Sequence, residues 1–328
     1  IIRNMGLLQI SFEFYKKAKE FDKNISFEDI GQAMRNVWIC NMLQLLLEKE
    51  VKLTNSIYGY SMLYPYTDNY LDNTLVKKAD KIKFNERFEL RLKGEKLKSI
   101  NEGEDKIYDL VNCIEKDYSR IKDSEIYDSL LAIQYAQNSS LNCQDKVTCP
   151  YENDILGVSI EKGGTSVLVD GYLAKKDLNI EELNFLFGYG VFLQIGDDLQ
   201  DIQEDYKNKH MTILTQIYNE YTLDNLTNKL MNFALELFYG PQNFNRDVVN
   251  IIAKNSVLLI FFAIAKNKKN YSPEYLRKIE NYFPYRISYM NKLYGKIEKK
   301  IKILKSSYGA NEYKEKIDET IKYVIENM

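Results

Sequence analysis

The chain has 328 residues, with 45 Lys and Arg against 47 Asp and Glu and a formal net charge of −2, a balance that offers no global electrostatic reason to bind nucleic acid. A single histidine, His210, excludes a multi-histidine zinc centre and leaves a Ser-His-Asp or Cys-His triad one candidate. Five prolines and fifteen glycines predict long, seldom-broken elements, so one all-α domain over residues 1–328 is the economical expectation.

Residues 30–51, "IGQAMRNVWICNMLQLLLEKEV", repeat apolar side chains at helical spacing. The next helix, predicted in "SIYGYSMLYPYTDNYLDN" (56–73), carries Asp68 and Asp72 one turn apart. The same face runs back through Tyr64 and Ser61 to Ile57. Pro65 removes a backbone donor and is expected to kink this helix just before the acids. Cys40, Cys113, Cys143 and Cys149 lack C-x-x-C spacing and histidine company. They read as reduced intracellular thiols. With no secretory signal pattern, a cytoplasmic protein is expected. No P-loop or G-x-G-x-x-G offers a nucleotide site.

"EKGGTSVLVDGYL" (161–173) sets two glycines side by side, each costing about 1 kcal/mol relative to Ala inside a helix; a tight helix crossing is one reason to accept them. "FGYGVFLQIGDDLQDIQED" (187–205) then places five carboxylates behind an apolar run. At about 100° per residue, Phe187, Gly190, Gln194, Asp197, Asp201 and Asp205 share one narrow stripe, with Asp198 and Glu204 at its edges. A solvated helix end is the plain reading. Against it, acids four apart repel by about 0.2–0.5 kcal/mol per pair. They also sit at the wrong end for the helix dipole, and no Lys or Arg lies between residues 177 and 206. A cation is the expected compensation.

The longest purely apolar run, "VLLIFFAIA" (257–265), falls short of the ~20 residues of a spanning helix, so no transmembrane segment is expected. "YGKIEKKIKILKSS" (294–307) reads as a solvated helix with an apolar seam. Carboxylates without histidines select hard cations, of which Mg²⁺ is the natural choice, and Mg²⁺ is usually completed by substrate phosphates. Two acidic rims beside apolar walls therefore predict a ligand with a phosphate head and a hydrocarbon tail.

The segment "GVFLQIGDDLQDIQEDYKNK" (190–209) resembles the second aspartate-rich motif of class I isoprenoid synthases, the terpene synthases and trans-prenyl diphosphate synthases. "DNYLDN" (68–73) resembles their first motif, with Asn69 where the family has its second Asp and Lys77–Lys78 in place of an Arg-Arg pair. The resemblance implies an all-α bundle around a deep apolar cavity. It also implies about three Mg²⁺ ions held by Asp68, Asp72, Asp197, Asp198, Asp201 and Asp205. Asp68, Asp72, Asp197 and Asp201 would be the catalytic acids, with Gln194 the family's glutamine.

Lys162 and Thr165 would approach the diphosphate, with Gly163–Gly164 permitting a break in their helix. Lys207, Lys209, Arg286 and Tyr289 would add to the diphosphate site, although a buried tyrosine beside a surface arginine explains the last two equally well. Tyr64 and Phe187 would wall the pocket, and Gly190 would leave room for a chain or ring. A homodimer is the family's expectation. A terpene synthase acting on a linear prenyl diphosphate is the leading expectation, because only "GQAMR" (31–35) stands where elongases keep a second diphosphate site. Chain elongation with isopentenyl diphosphate and a non-catalytic binding subunit are the alternatives.

Overall fold

The computed structural model describes residues 6–290 except 74, 145–151, 241–242 and 284, together with Lys292, Gly295, Lys296 and Lys299. Cys149 and most of the lysine-rich run 294–307 lie outside the described residues. The described residues form eleven α-helices and no strand: α1 (Leu7–Phe21), α2 (Phe27–Leu46), α3 (Asn55–Asp72), α4 (Lys78–Leu92), α5 (Glu102–Asp117), α6 (Ser124–Ser140), α7 (Ile155–Ala174), α8 (Ile180–Lys207), α9 (Asp224–Tyr239), α10 (Arg246–Lys266) and α11 (Pro273–Ile279).

Local chemistry sets many of the boundaries. Ser26, Thr54, Asn101, Asp154, Asn179, Asn245 and Ser272 cap the starts of α2, α3, α5, α7, α8, α10 and α11 with side-chain oxygens, each cap contributing about 1 kcal/mol. Asn179 and Glu182 form a reciprocal capping box at α8. The helix α3 runs through Pro65 to Asp72 as one element.

Two apolar clusters fill the interior. One gathers Phe14, Val37, Ile57, Met62, Leu110 and Ile114 from α1, α2, α3 and α5. The other gathers Leu186, Phe192, Phe238, Ile252, Ile260 and Phe261 from α8, α9 and α10. Helices α2 and α7 belong to both, since Val37 and Val169 lie in the first cluster while Leu43 and Val167 lie in the second.

Helix α10 is 21 residues and, by length and composition, apolar enough to cross a membrane. The nine-residue run understated it because Lys254, Asn255 and Ser256 separate it from the apolar residues earlier in the helix. About half of α10 is buried, with Val249, Ile252, Ile260, Phe261 and Ile264 packed in the second cluster.

A tight crossing joins α7 and α8. Helix α7 is unbroken from Ile155 to Ala174, so the expected break at Gly163–Gly164 is absent. The glycines make a contact instead. A Cβ on Gly190 would lie 2.0 Å from the Gly163 carbonyl oxygen, and one on Gly164 would lie 2.3 Å from the Phe187 ring. The space expected at Gly190 for a ligand is therefore taken by backbone.

Gly190→Ala is expected to destabilise the chain by about 2 kcal/mol or more through overpacking against rigid backbone. Gly31→Ala, in open space within α2, is expected to stabilise it by about 0.5–1 kcal/mol. Urea unfolding of the two variants measures both signs.

Candidate functional site

Beyond the glycine contact of α7 and α8 lies a cleft of about 220 Å³. Helix α8 contributes Gln194, Asp197, Asp198, Asp201 and Asp205, which line one wall. Ser159 and Lys162 of α7 line another, with Asp72 at the end of α3. Cys143 and Gln144 follow α6, His210 and Met211 follow α8, and all four close the rim. A backbone bond from Met211 N to the Cys143 carbonyl (2.8 Å) ties these two loops together.

The α8 acids occupy distinct environments. Asp198 is buried, accepting hydrogen bonds from Gln194 Nε2 (2.8 Å) and Ser159 Oγ (3.2 Å). Burial raises its carboxyl pKa to about 7, opposed by the Gln194 bond and the charge of Lys162. Asp197 stands exposed at the rim, yet desolvation by the surrounding protein and the charge of Asp201 raise its pKa, while Arg35 and Lys162 pull it down. Asp201 pairs with Lys266 of α10 (3.2 Å). His210 Nδ1 lies 3.8 Å from Asp205.

The two acids of α3 part company. Asp72 is exposed, accepts from Gln144 Nε2 (3.2 Å) and borders the cleft. Asp68, one turn inward, accepts from Gln137 Nε2 (3.0 Å) and Thr67 Oγ1 (3.2 Å). It borders a second, inner cavity of about 40 Å³, walled by residues including Tyr60, Leu63, Tyr64, Phe88 and Leu92. Burial raises the Asp68 pKa to about 6, opposed by Lys162 and reinforced by Asp72. Lys162 faces both groups. Burial works against its charge, but Asp68, Asp72, Asp198 and Asp197 together hold its pKa above the usual lysine value. One ammonium thus serves four carboxylates on two helices.

Other expected residues lie elsewhere. Thr165 Oγ1 bonds back to the Glu161 carbonyl (2.5 Å). Phe187 packs over Gly164 at the α7–α8 crossing. Lys207 and Lys209 are exposed beyond the cleft lining, Lys209 with φ +58°. Arg286 and Tyr289 are exposed and absent from the cleft, and Tyr289 stacks on Tyr285. Asn69 is exposed, donates to Asp29 Oδ1 (2.8 Å) and does not line the cleft.

The donor set is oxygen-rich and histidine-poor, which fits Mg²⁺. Among the described residues, no three His, Cys, Asp or Glu side chains converge closely enough to hold a metal ion unaided. An ion here would take its remaining ligands from water and a bound anion.

Sequence reasoning missed the counter-charges Arg35 and Lys266 and the amides Gln137 and Gln144, none of which stands near the acids in the chain. Ser159 carried a signal, three residues before Lys162 on one face of α7. Also missed was Asp170, which is fully buried on α7. Its Oδ1 accepts from Asn36 Nδ2 (2.9 Å) and Cys40 Sγ (3.0 Å), while its Oδ2 has no hydrogen-bond partner. On the same helix, Ser166 Oγ bonds Tyr64 Oη (2.6 Å), which bonds Tyr60 Oη (3.2 Å). Tyr64 and Tyr60 line the inner cavity, so this hydroxyl pair lies beside the apolar wall beneath Asp68.

No family model, curated protein or solved structure matches the chain.

Burial raises the Asp170 pKa from 3.8 to about 7. The folded state binds this proton more tightly than the unfolded state, so its contribution to stability is largest below 3.8 and is lost as pH rises towards about 7. Asp170→Asn, which retains an acceptor for Asn36 and Cys40, is expected to flatten the decline in this window and to be the more stable form above it. Denaturant midpoints across that pH range measure the difference.

Proposed function

We propose that the chain is a Mg²⁺-dependent enzyme of prenyl diphosphate chemistry, of the terpene synthase type. The observation that carries the reading is the meeting of an acid-lined cleft with an aromatic inner cavity at one turn of α3, with Lys162 charged between them. A diphosphate head belongs in the cleft and a hydrocarbon tail beneath Asp68.

Asp72, Asp197, Asp201 and Asp205 would hold the ions through oxygen, with Asp68 and Asp198 behind them. Bound ions supply positive charge that stabilises the departing diphosphate. Lys162 adds a donor on the same side, fixed before any charge develops. The C–O bond breaks with its electron pair leaving on the diphosphate, and the allylic cation is left on the inner side. There Tyr64 and Tyr60 offer aromatic faces, a contribution of about 0.5–2 kcal/mol each. Leu63, Phe88 and Leu92 exclude water that would quench it. The hydrocarbon space this chemistry needs exceeds the small inner cavity, so part of the wall of that cavity has to move.

One observation favours the elongation reading. Arg35, the last residue of "GQAMR", stands near enough for its charge to hold the Asp197 pKa down. An elongase would use such a group for a second diphosphate.

Purified protein with Mg²⁺ and geranyl, farnesyl or geranylgeranyl diphosphate alone is expected to release diphosphate and form terpene hydrocarbons or alcohols. Chelation should abolish this. Lys162→Ala and Asp197→Asn are each expected to lower kcat by about 10²-fold. Products that form only with isopentenyl diphosphate, one five-carbon unit longer, would replace the synthase by an elongase. Absence of diphosphate release from every substrate would leave a binding subunit.

A further inference from the structure

Two hollows in the helical array share one wall. The inner cavity beneath Asp68 ends at Gln134 of α6. On the far side of the same side chain begins an outer groove of about 240 Å³ between α4 and α6, bordered by Asn85, Leu131 and Tyr135. The inner space, about 40 Å³, is far below the roughly 150 Å³ that accommodates a benzene ring. A prenyl tail entering past Asp68 therefore has to displace a wall.

The walls differ in kind. Phe88, Leu92, Leu130 and Ile133 close the inner cavity by apolar packing. The partition toward the groove is an amide ladder. Gln134 Nε2 donates to Asn85 Oδ1 (2.8 Å), and Asn85 Nδ2 donates to Asn138 Oδ1 (3.3 Å). Gln134 and Asn85 are both buried, at 6% and 3% exposure. An amide that swings into the open groove regains its hydrogen bond from water, so breaking this bond costs less than unpacking a buried Phe or Leu. Gln134 lines both hollows, so empty space lies on either side of the partition.

We propose that the Gln134–Asn85 bond is a latch: its opening joins the inner cavity to the α4–α6 groove in one channel that takes the distal hydrocarbon tail of the diphosphate ligand. This rests on the prenyl diphosphate reading. Head and tail sites are continuous through α3, where Asp72 borders the cleft and Asp68 the inner cavity. Gln134 then acts as a specificity residue, because the longer the tail, the more of it has to pass the latch into the groove.

The test is calorimetric titration of the full chain, in Mg²⁺, with the thiodiphosphate analogues of geranyl, farnesyl and geranylgeranyl diphosphate, and with inorganic diphosphate. Gln134→Ala removes the latch. Gln134→Asn keeps an amide but withdraws it by one methylene, and carries the same test should the alanine variant fold poorly. The expected result is a gain in affinity that grows with tail length. It should reach about tenfold for geranylgeranyl thiodiphosphate, with inorganic diphosphate unchanged within about twofold. A gain that is absent, or equal for all tails, overturns the latch while wild-type binding leaves the prenyl diphosphate reading standing. Wild-type protein that binds inorganic diphosphate but no prenyl analogue overturns that reading and the latch with it.

Discussion

The contact on which the site depends is the one between the Gly163–Gly164 pair and Gly190. It brings the backbones of α7 and α8 together where any side chain would hold them apart. Because the crossing is fixed by carbonyl and Cα atoms, it cannot relax by rotamer change, and the flanking residues inherit its geometry. Ser159 and Lys162 lie just before the contact on α7, and Gln194 to Asp205 just after it on α8. The bonds from Ser159 and Gln194 to Asp198 extend the same crossing in polar form. Cleft and core are two ends of one helix pair.

Electrostatics then acts on that fixed frame. The aspartates of α3 and α8 are brought close without cations of their own. The cations that answer most of them stand on other helices: Lys162 on α7, Lys266 on α10, Arg35 on α2. Burial, reinforced by neighbouring carboxylates, holds the carboxyl pKa values of Asp68, Asp197 and Asp198 above the ordinary range. Such a surface gains from any added positive charge, and a divalent ion supplies it most compactly.

Much of this was legible in the chain because it depends on local periodicity. The 100° rule placed Gln194, Asp197, Asp201 and Asp205 on one face, and all four line one cleft. The same rule joined Asp68 and Asp72 but could not say that one turn separates two cavities. The glycines of α7 announced an unusual demand without naming it; a break and a close crossing ask for the same residue, and only the partner helix distinguishes them. Arg286 and Tyr289 matched by type and order, which says nothing of where a chain end packs. Counter-charges were the least legible, since Arg35 and Lys266 reach α8 from helices far away in sequence.

The pairing of Asp201 with Lys266 bears on how the chain is made. The acidic half of α8 leaves the ribosome well before the lysine that answers it, and within its own segment it carries repulsion between successive turns. An isolated helix of this composition is marginal. The nascent chain has α7 for α8 to pack against, but Asp201 stays without its partner until α10 has been synthesised and folded back. The cleft is built by closing a long loop of sequence, a non-local step of the kind that slows folding.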